Sequence, residues 1–90
     1  MSEDKRDTLI EFPCEFPIKV MGARVEGFAQ AVAEVVAVHD AGFDAAAITM
    51  RPSRNGNYLA LTCPVWATSQ EQLDDLYRAL SAHPMVRIVL

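Results

Sequence analysis

From Asn57 to Ala67 the chain reads NYLALTCPVWA, with Leu59, Leu61, Cys63, Val65 and Ala67 at every second position. Successive side chains of a β-strand point to opposite faces, so this alternation predicts a strand with one buried face and one exposed face. Tyr58, Ala60, Thr62, Pro64 and Trp66 fall on the second face. A strand this long needs neighbours along its edges and a second layer over its apolar side. Pro64 has no N–H to donate, which favours a strand edge or a late bulge at that point.

The remaining segments supply those neighbours. Phe16–Met21 alternates Phe16, Ile18 and Val20 against Pro17, Lys19 and Met21, and Gly22 is expected to end it in a tight turn. Before it, the steps Phe12-Pro13 and Phe16-Pro17 favour an extended lead-in, because proline excludes the α region for the residue before it. From Arg24 to Ala41, Val25, Phe28, Val32, Val35 and Val36 recur at helical spacing, with a stop at Ala41-Gly42 and His39 in the last turn. Asp44–Arg51 lies between a glycine and a proline and reads as a second strand, although its alanines favour helix. Asn55-Gly56 then predicts a hairpin with a type I′ turn within Arg51–Asn57. Thr68 with Glu71, or Ser69 with Gln72, opens a second helix as a capping box. Its stripe is Leu73, Leu76, Tyr77 and Leu80, and Asp74 and Arg78 sit four apart on the exposed side. Pro84 stops it, and Met85–Leu90 is a last strand with Val86, Ile88 and Leu90 inward.

Strand, helix, strand, strand, helix, strand is the split βαβ order. The expected fold is α+β, a ferredoxin-like βαββαβ sandwich: a four-stranded antiparallel sheet with both helices on one face. Residues 1–11 read as a flexible N-terminal tail and residues 12–90 as a single domain. Period-two arithmetic leaves Lys19, Met21, Ala47, Thr49, Arg51, Tyr58, Thr62, Trp66, Arg87 and Val89 on an open sheet face. Exposed apolar patches mark interaction surfaces.

Composition limits what such a surface meets. Eight basic against twelve acidic residues give a formal charge of −4, the wrong sign for tracking phosphates, so no nucleic-acid partner is expected. No apolar run is long enough for a membrane span and the polar start does not read as a secretory signal, so the expected compartment is the cytoplasm. Cys14 and Cys63 are then reduced thiols, and with His39 and His83 they show no metal-ligand spacing. No catalytic grouping, phosphate loop or cofactor motif is present, so the chain is read as a non-enzyme without a cofactor or metal. A chain this short has a thin core, and self-association, as a dimer, is one way to bury more surface.

Three stretches together resemble a known family. They are Phe12-Pro13 with Phe16-Pro17-Ile18-Lys19-Val20-Met21-Gly22, the hairpin Pro52-Ser53-Arg54-Asn55-Gly56-Asn57-Tyr58, and Leu76-Tyr77-Arg78-Ala79-Leu80 with Val86-Arg87-Ile88-Val89-Leu90. They resemble the motifs of the YbeD-like bacterial proteins, from about Leu9 to Leu90. The resemblance implies a small cytoplasmic ferredoxin-like protein similar to the ACT regulatory domains. It also implies a connection with lipoate metabolism, drawn from gene neighbourhood.

Two candidate sites follow. In ACT domains the effector sits at the turn from the first strand into the first helix, which places a ligand at Met21, Gly22, Ala23 and Arg24. There a helix N-terminus and a guanidinium would meet a carboxylate. The second is a partner surface of Lys19, Arg51, Ser53, Arg54, Tyr58 and Trp66, suited to an acidic protein. The expected function is a small regulatory or binding domain that senses a ligand or modulates a partner enzyme. The alternative is a protein-interaction module acting through the Arg51–Tyr58 hairpin and the open sheet face.

Overall fold

A computed structural model describes residues 11–90. The expected tail lies, apart from Glu11, outside the described residues. The elements are β1 (Cys14–Ala23), α1 (Phe28–His39), a 3-10 turn (Ala45–Ala47), β2 (Thr49–Pro52), β3 (Tyr58–Ala67), α2 (Gln70–Ala82) and β4 (Val86–Val89). They form one antiparallel sheet in the order β2-β3-β1-β4, the βαββαβ arrangement expected.

The core is built from the stripes the periodicity marks. Ile18 and Val20 of β1 and Leu61, Cys63, Val65 and Ala67 of β3 are buried beneath Phe28, Val32 and Val36 of α1 and Leu73, Leu76 and Leu80 of α2. Removing the Phe28 ring from such a site costs ~3–5 kcal/mol.

Several boundaries differ from expectation. Helix α1 begins at Phe28, not Arg24, because Gly27 takes φ 88° just before it. The Arg24 amide is already donated to the Asn57 carbonyl, 3.0 Å away, which holds that residue beside the sheet. Val25 is therefore 51% exposed instead of buried. The helix ends at His39, where Asp40 turns into extended backbone, and Gly42 does not supply a left-handed cap. The alanines before β2 form a 3-10 turn, not strand, and the Asp44 carboxylate accepts the Ala46 amide at 3.0 Å. An aspartate cap and three helix formers outweigh β pairing there.

The hairpin is not type I′. Only Gly56 has positive φ, at 77°, and the Ser53 carbonyl accepts the Gly56 amide at 2.9 Å. Ser53 and Tyr58 close a four-residue loop, with the Ser53 hydroxyl accepting the Tyr58 amide at 3.1 Å. At α2, Ser69 is the N-cap and accepts the Gln72 amide at 3.1 Å. The Gln72 side chain reaches back to the Thr68 amide at 2.6 Å, one residue before the cap. Arg78 pairs with Asp75 at 3.3 Å, not Asp74, which accepts from Gln70 instead.

Strand β4 also departs. Val20 opposes Val89, Met21 opposes Ile88, and Gly22 opposes Val86, so Arg87 is an extra, bulged residue. A bulge shifts the alternation by one. Val86 and Val89 therefore both pack on the core, while Ile88 and Leu90 are exposed.

Strand β3 is central, so Pro64 needs its own account. Lys19 and Leu90 exchange both backbone bonds, so alternate residues of β1, Pro17 included, point toward the β4 side. Pro17 and Pro64 face one another where β1 and β3 run on past the ends of β4 and β2. Neither neighbour extends that far, so no ladder bond is lost to either ring.

Candidate functional site

The polar end of this β1–β3 ribbon is closed from within the chain. The Trp66 amide points outward beyond β2 and is accepted by the buried Asp40 carboxylate at 2.9 Å, which also accepts the Gly42 amide at 3.2 Å. Gln72 donates to the carbonyls of His39 and Trp66 at 2.7 and 3.2 Å. An unmade bond of this kind costs about 1–3 kcal/mol. Asp40 and Gln72 are structural by this geometry. Asp40 gave no periodic signal, and its i to i+2 relation to a glycine is the one local hint of an Asx turn.

The expected ligand turn is not a turn. Met21, Gly22 and Ala23 belong to β1, and Arg24 lies ahead of the first helical residue. Gly22 is needed for a different reason. A Cβ there would strike the Met85 carbonyl oxygen and come within 2.6 Å of the Phe28 ring, so its hydrogen makes room for the core's largest side chain. The helix N-terminus that was to meet a carboxylate has moved away from Arg24.

The open face is present with a changed membership. Ala47 sits in the 3-10 turn and Val89 faces the core, so both leave it, and Ile88 and Leu90 join it. Glu15, Pro17, Lys19 and Met21 lie opposite Trp66, Pro64, Thr62 and Ala60, and Arg51 also opposes Ala60. Met21, Tyr58, Trp66, Ile88 and Leu90 are its exposed apolar groups. The expected partner residues divide along it. Lys19 lies mid-strand, Trp66 lies at the ribbon end beside Glu15, and Arg51, Ser53, Arg54 and Tyr58 gather at the hairpin end.

At the hairpin end the structure adds two arginines. Arg87, the bulged residue of β4, reaches across β1 with its guanidinium carbon 5.6 Å from the centre of the Tyr58 ring, a cation–π contact. The Arg24 guanidinium lies beside Gly56 of the hairpin. Alternation already placed Arg87 on the open face with Arg51 and Tyr58, whereas Arg24 was assigned to the ligand turn, and its meeting with the hairpin depends on register. Among the described residues, Arg78–Asp75 is the ion pair, and Arg24, Arg51, Arg54 and Arg87 have no carboxylate partner. Between Arg51, Tyr58 and Met21 lies a hollow of about 140 Å³, floored by Ala60.

A larger groove, about 510 Å³, runs between α1 and β2 along Ala29, Ala33, Phe43, Ile48 and Met50. Glu34 is its one ionisable lining residue, so it offers no acid–base pair and little to orient a ligand. Burial pushes the Cys63 thiol up to about 11, which makes it a poor nucleophile, and no disulfide joins it to Cys14. Among the described residues no three His, Cys, Asp or Glu gather as metal ligands. No helix among them is long and apolar enough to cross a membrane.

Comparison with known proteins agrees with this fold. The chain is 62% identical over 84 residues to a UPF0250 protein of Bordetella pertussis (strain Tohama I), covering 93% of this chain and 92% of that protein. It is 57% identical over 91 aligned positions to a UPF0250 protein of Janthinobacterium sp. (strain Marseille), covering all of both. The solution structure of protein HP0495 from H. pylori superposes with a TM-score of 0.77 at 14% identity, over 100% of this chain and 94% of that one, a likeness of fold. A family model described as a protein of unknown function, DUF493, matches residues 7–90. The motifs at Phe12–Gly22, Pro52–Tyr58 and Leu76–Leu90 thus indicate the right group of small bacterial proteins, and the chain belongs to the DUF493, or UPF0250, family.

Proposed function

We propose that this protein is a non-catalytic binding module that modulates a partner protein through the hairpin end of its sheet. The observation that carries this reading is the gathering of Arg24, Arg51, Arg54 and Arg87 at one end of a chain whose net charge is −4. The carboxylates of Glu15, Asp40, Asp44, Glu71 and Asp74 lie toward the opposite end, where β3 leads into α2, with Glu26, between β1 and α1, the exception near the arginines. Charge separated in this way steers an acidic partner to one end and repels it from the other. The ligand-sensing reading has less support, because the Met21–Arg24 segment has lost its helix terminus and the hollow is small. Small-molecule sites run to ~300–1,000 Å³, a size the α1–β2 groove of about 510 Å³ does reach, but Gln30 and Glu34 are the polar side chains it offers a ligand.

The test is comparative capture of partners in native lysate by the wild-type protein and by the double variant Arg51→Glu, Arg54→Glu. Charge reversal is expected to reduce recovery of a specific partner by at least about tenfold. Equal recovery would remove the hairpin from the interaction. The exposed Met21, Ile88 and Leu90 support a second reading, self-association through the apolar part of the same face. It predicts a dimer by light scattering at high micromolar concentration, and a monomer under those conditions overturns it.

A further inference from the structure

The hollow at the hairpin end has a shape and a chemistry that narrow the kind of partner. On the outer face of β3 the order is Tyr58, Ala60, Thr62, so the small residue lies between two larger ones. Met21 opposes Ala60 on β1 and Arg51 opposes it on β2. The missing bulk of Ala60 is the hollow, lined also by Met21, Arg51, Pro52, Ser53 and Tyr58. About 140 Å³ holds one apolar side chain, not a metabolite. Arg51 lines the hollow from β2, and Arg87 reaches the Tyr58 ring from β4, so one small apolar seat has a cation on each side of the sheet.

We infer that this hollow takes an extended acidic segment of another protein, with an apolar side chain in the seat and an aspartate or glutamate two positions to either side. The inference rests on the binding-module reading above and names the partner's chemistry. Residues two apart in an extended chain face the same way, so the three side chains descend together. The two acids then flank the seat, one toward Arg51 on the β2 side and the other toward Arg87 where it reaches back over Tyr58. Arginine matches a carboxylate with a two-pronged, charge-assisted bond, and the apolar anchor supplies what exposed ion pairs lack.

RNA fits this surface less well. Single-stranded bases stack on free aromatic faces, and the Arg87 guanidinium already covers one face of the Tyr58 ring. The other open-face aromatic, Trp66, has Glu15 directly opposite it.

The experiment is fluorescence anisotropy of the full chain with a labelled peptide carrying Asp-Ser-Leu-Ser-Asp at its centre. Saturable binding is expected, and replacing the peptide's leucine by serine, or both aspartates by asparagine, weakens it about tenfold each. Ala60→Leu fills the hollow and weakens binding to the same extent, while circular dichroism checks that it folds. Arg51→Gln, a surface change, gives a second route to the same loss. No saturable signal up to millimolar protein, or binding indifferent to Ala60→Leu and Arg51→Gln, overturns the inference. So does tighter binding of a labelled oligouridylate than of the peptide. Loss of lysate capture on charge reversal without peptide binding defeats this inference alone. If capture and peptide binding are both indifferent to the arginines, the binding-module reading falls with it.

Discussion

Gly22 illustrates how a residue can be recognised in sequence for the wrong reason. A glycine after an alternating segment reads as a turn, yet its φ is not positive and it lies within β1. What matters is the space it leaves for Phe28, a contact between residues that no local pattern connects. Gly22→Ala is expected to lower stability in urea melts by about 1–3 kcal/mol through overpacking. Cys63 was legible as an inward residue of β3, and its burial has a consequence for pH. The unfolded chain releases this proton near the ordinary value of 9.0, while the folded chain keeps it until about 11. Over that window the unfolded state binds fewer protons, so stability falls as pH rises, by up to about 1.4 kcal/mol per pH unit. The same curve for Cys63→Ala should be flatter between those two values. A thiol titration of the folded protein should find Cys14 reacting first, since it is only half-buried.

At the scale of elements, strong periodicity was enough and weak periodicity was not. Strand β3 and helix α2 have the faces that alternation and helical spacing assign, because each segment is long and carries large apolar residues. The Ala45–Ala47 segment has no large side chain to declare a face, so the Asp44 cap decided its conformation. The β4 bulge reversed the facing of its last residues, and a single inserted residue leaves no trace in composition. Arg87 keeps the open face that alternation gives it, but its contact with Tyr58 crosses β1 and depends on register, which no local pattern declares. The Asp40 bond to β3 tests a different element. Asp40→Ala should cost about 1–3 kcal/mol and hasten hydrogen exchange at the Trp66 amide, because the neighbouring strand β2 has already ended there.

For the whole molecule, net charge turned out to be the least informative summary. A value of −4 argues against a basic footprint, yet one end of the sheet has one. Topology created it, by bringing Arg24, Arg51, Arg54 and Arg87 together from the end of β1, from β2, from the hairpin and from β4. Association through that end should weaken steeply with salt, since exposed charges are screened over ~8 Å at physiological ionic strength. Raising sodium chloride from about 50 to about 500 mM should slow association far more than it speeds dissociation, measured by stopped-flow or biosensor kinetics.

Pro17 and Pro64 set a limit on growth. Each turns its ring nitrogen toward the free side of the ribbon, and Pro52 does the same on the outer edge of β2. An incoming strand would find carbonyls there but no donor opposite them. Strand pairing between copies is therefore disfavoured at these positions of the sheet. Association of copies is thereby directed away from that edge and toward faces and side chains.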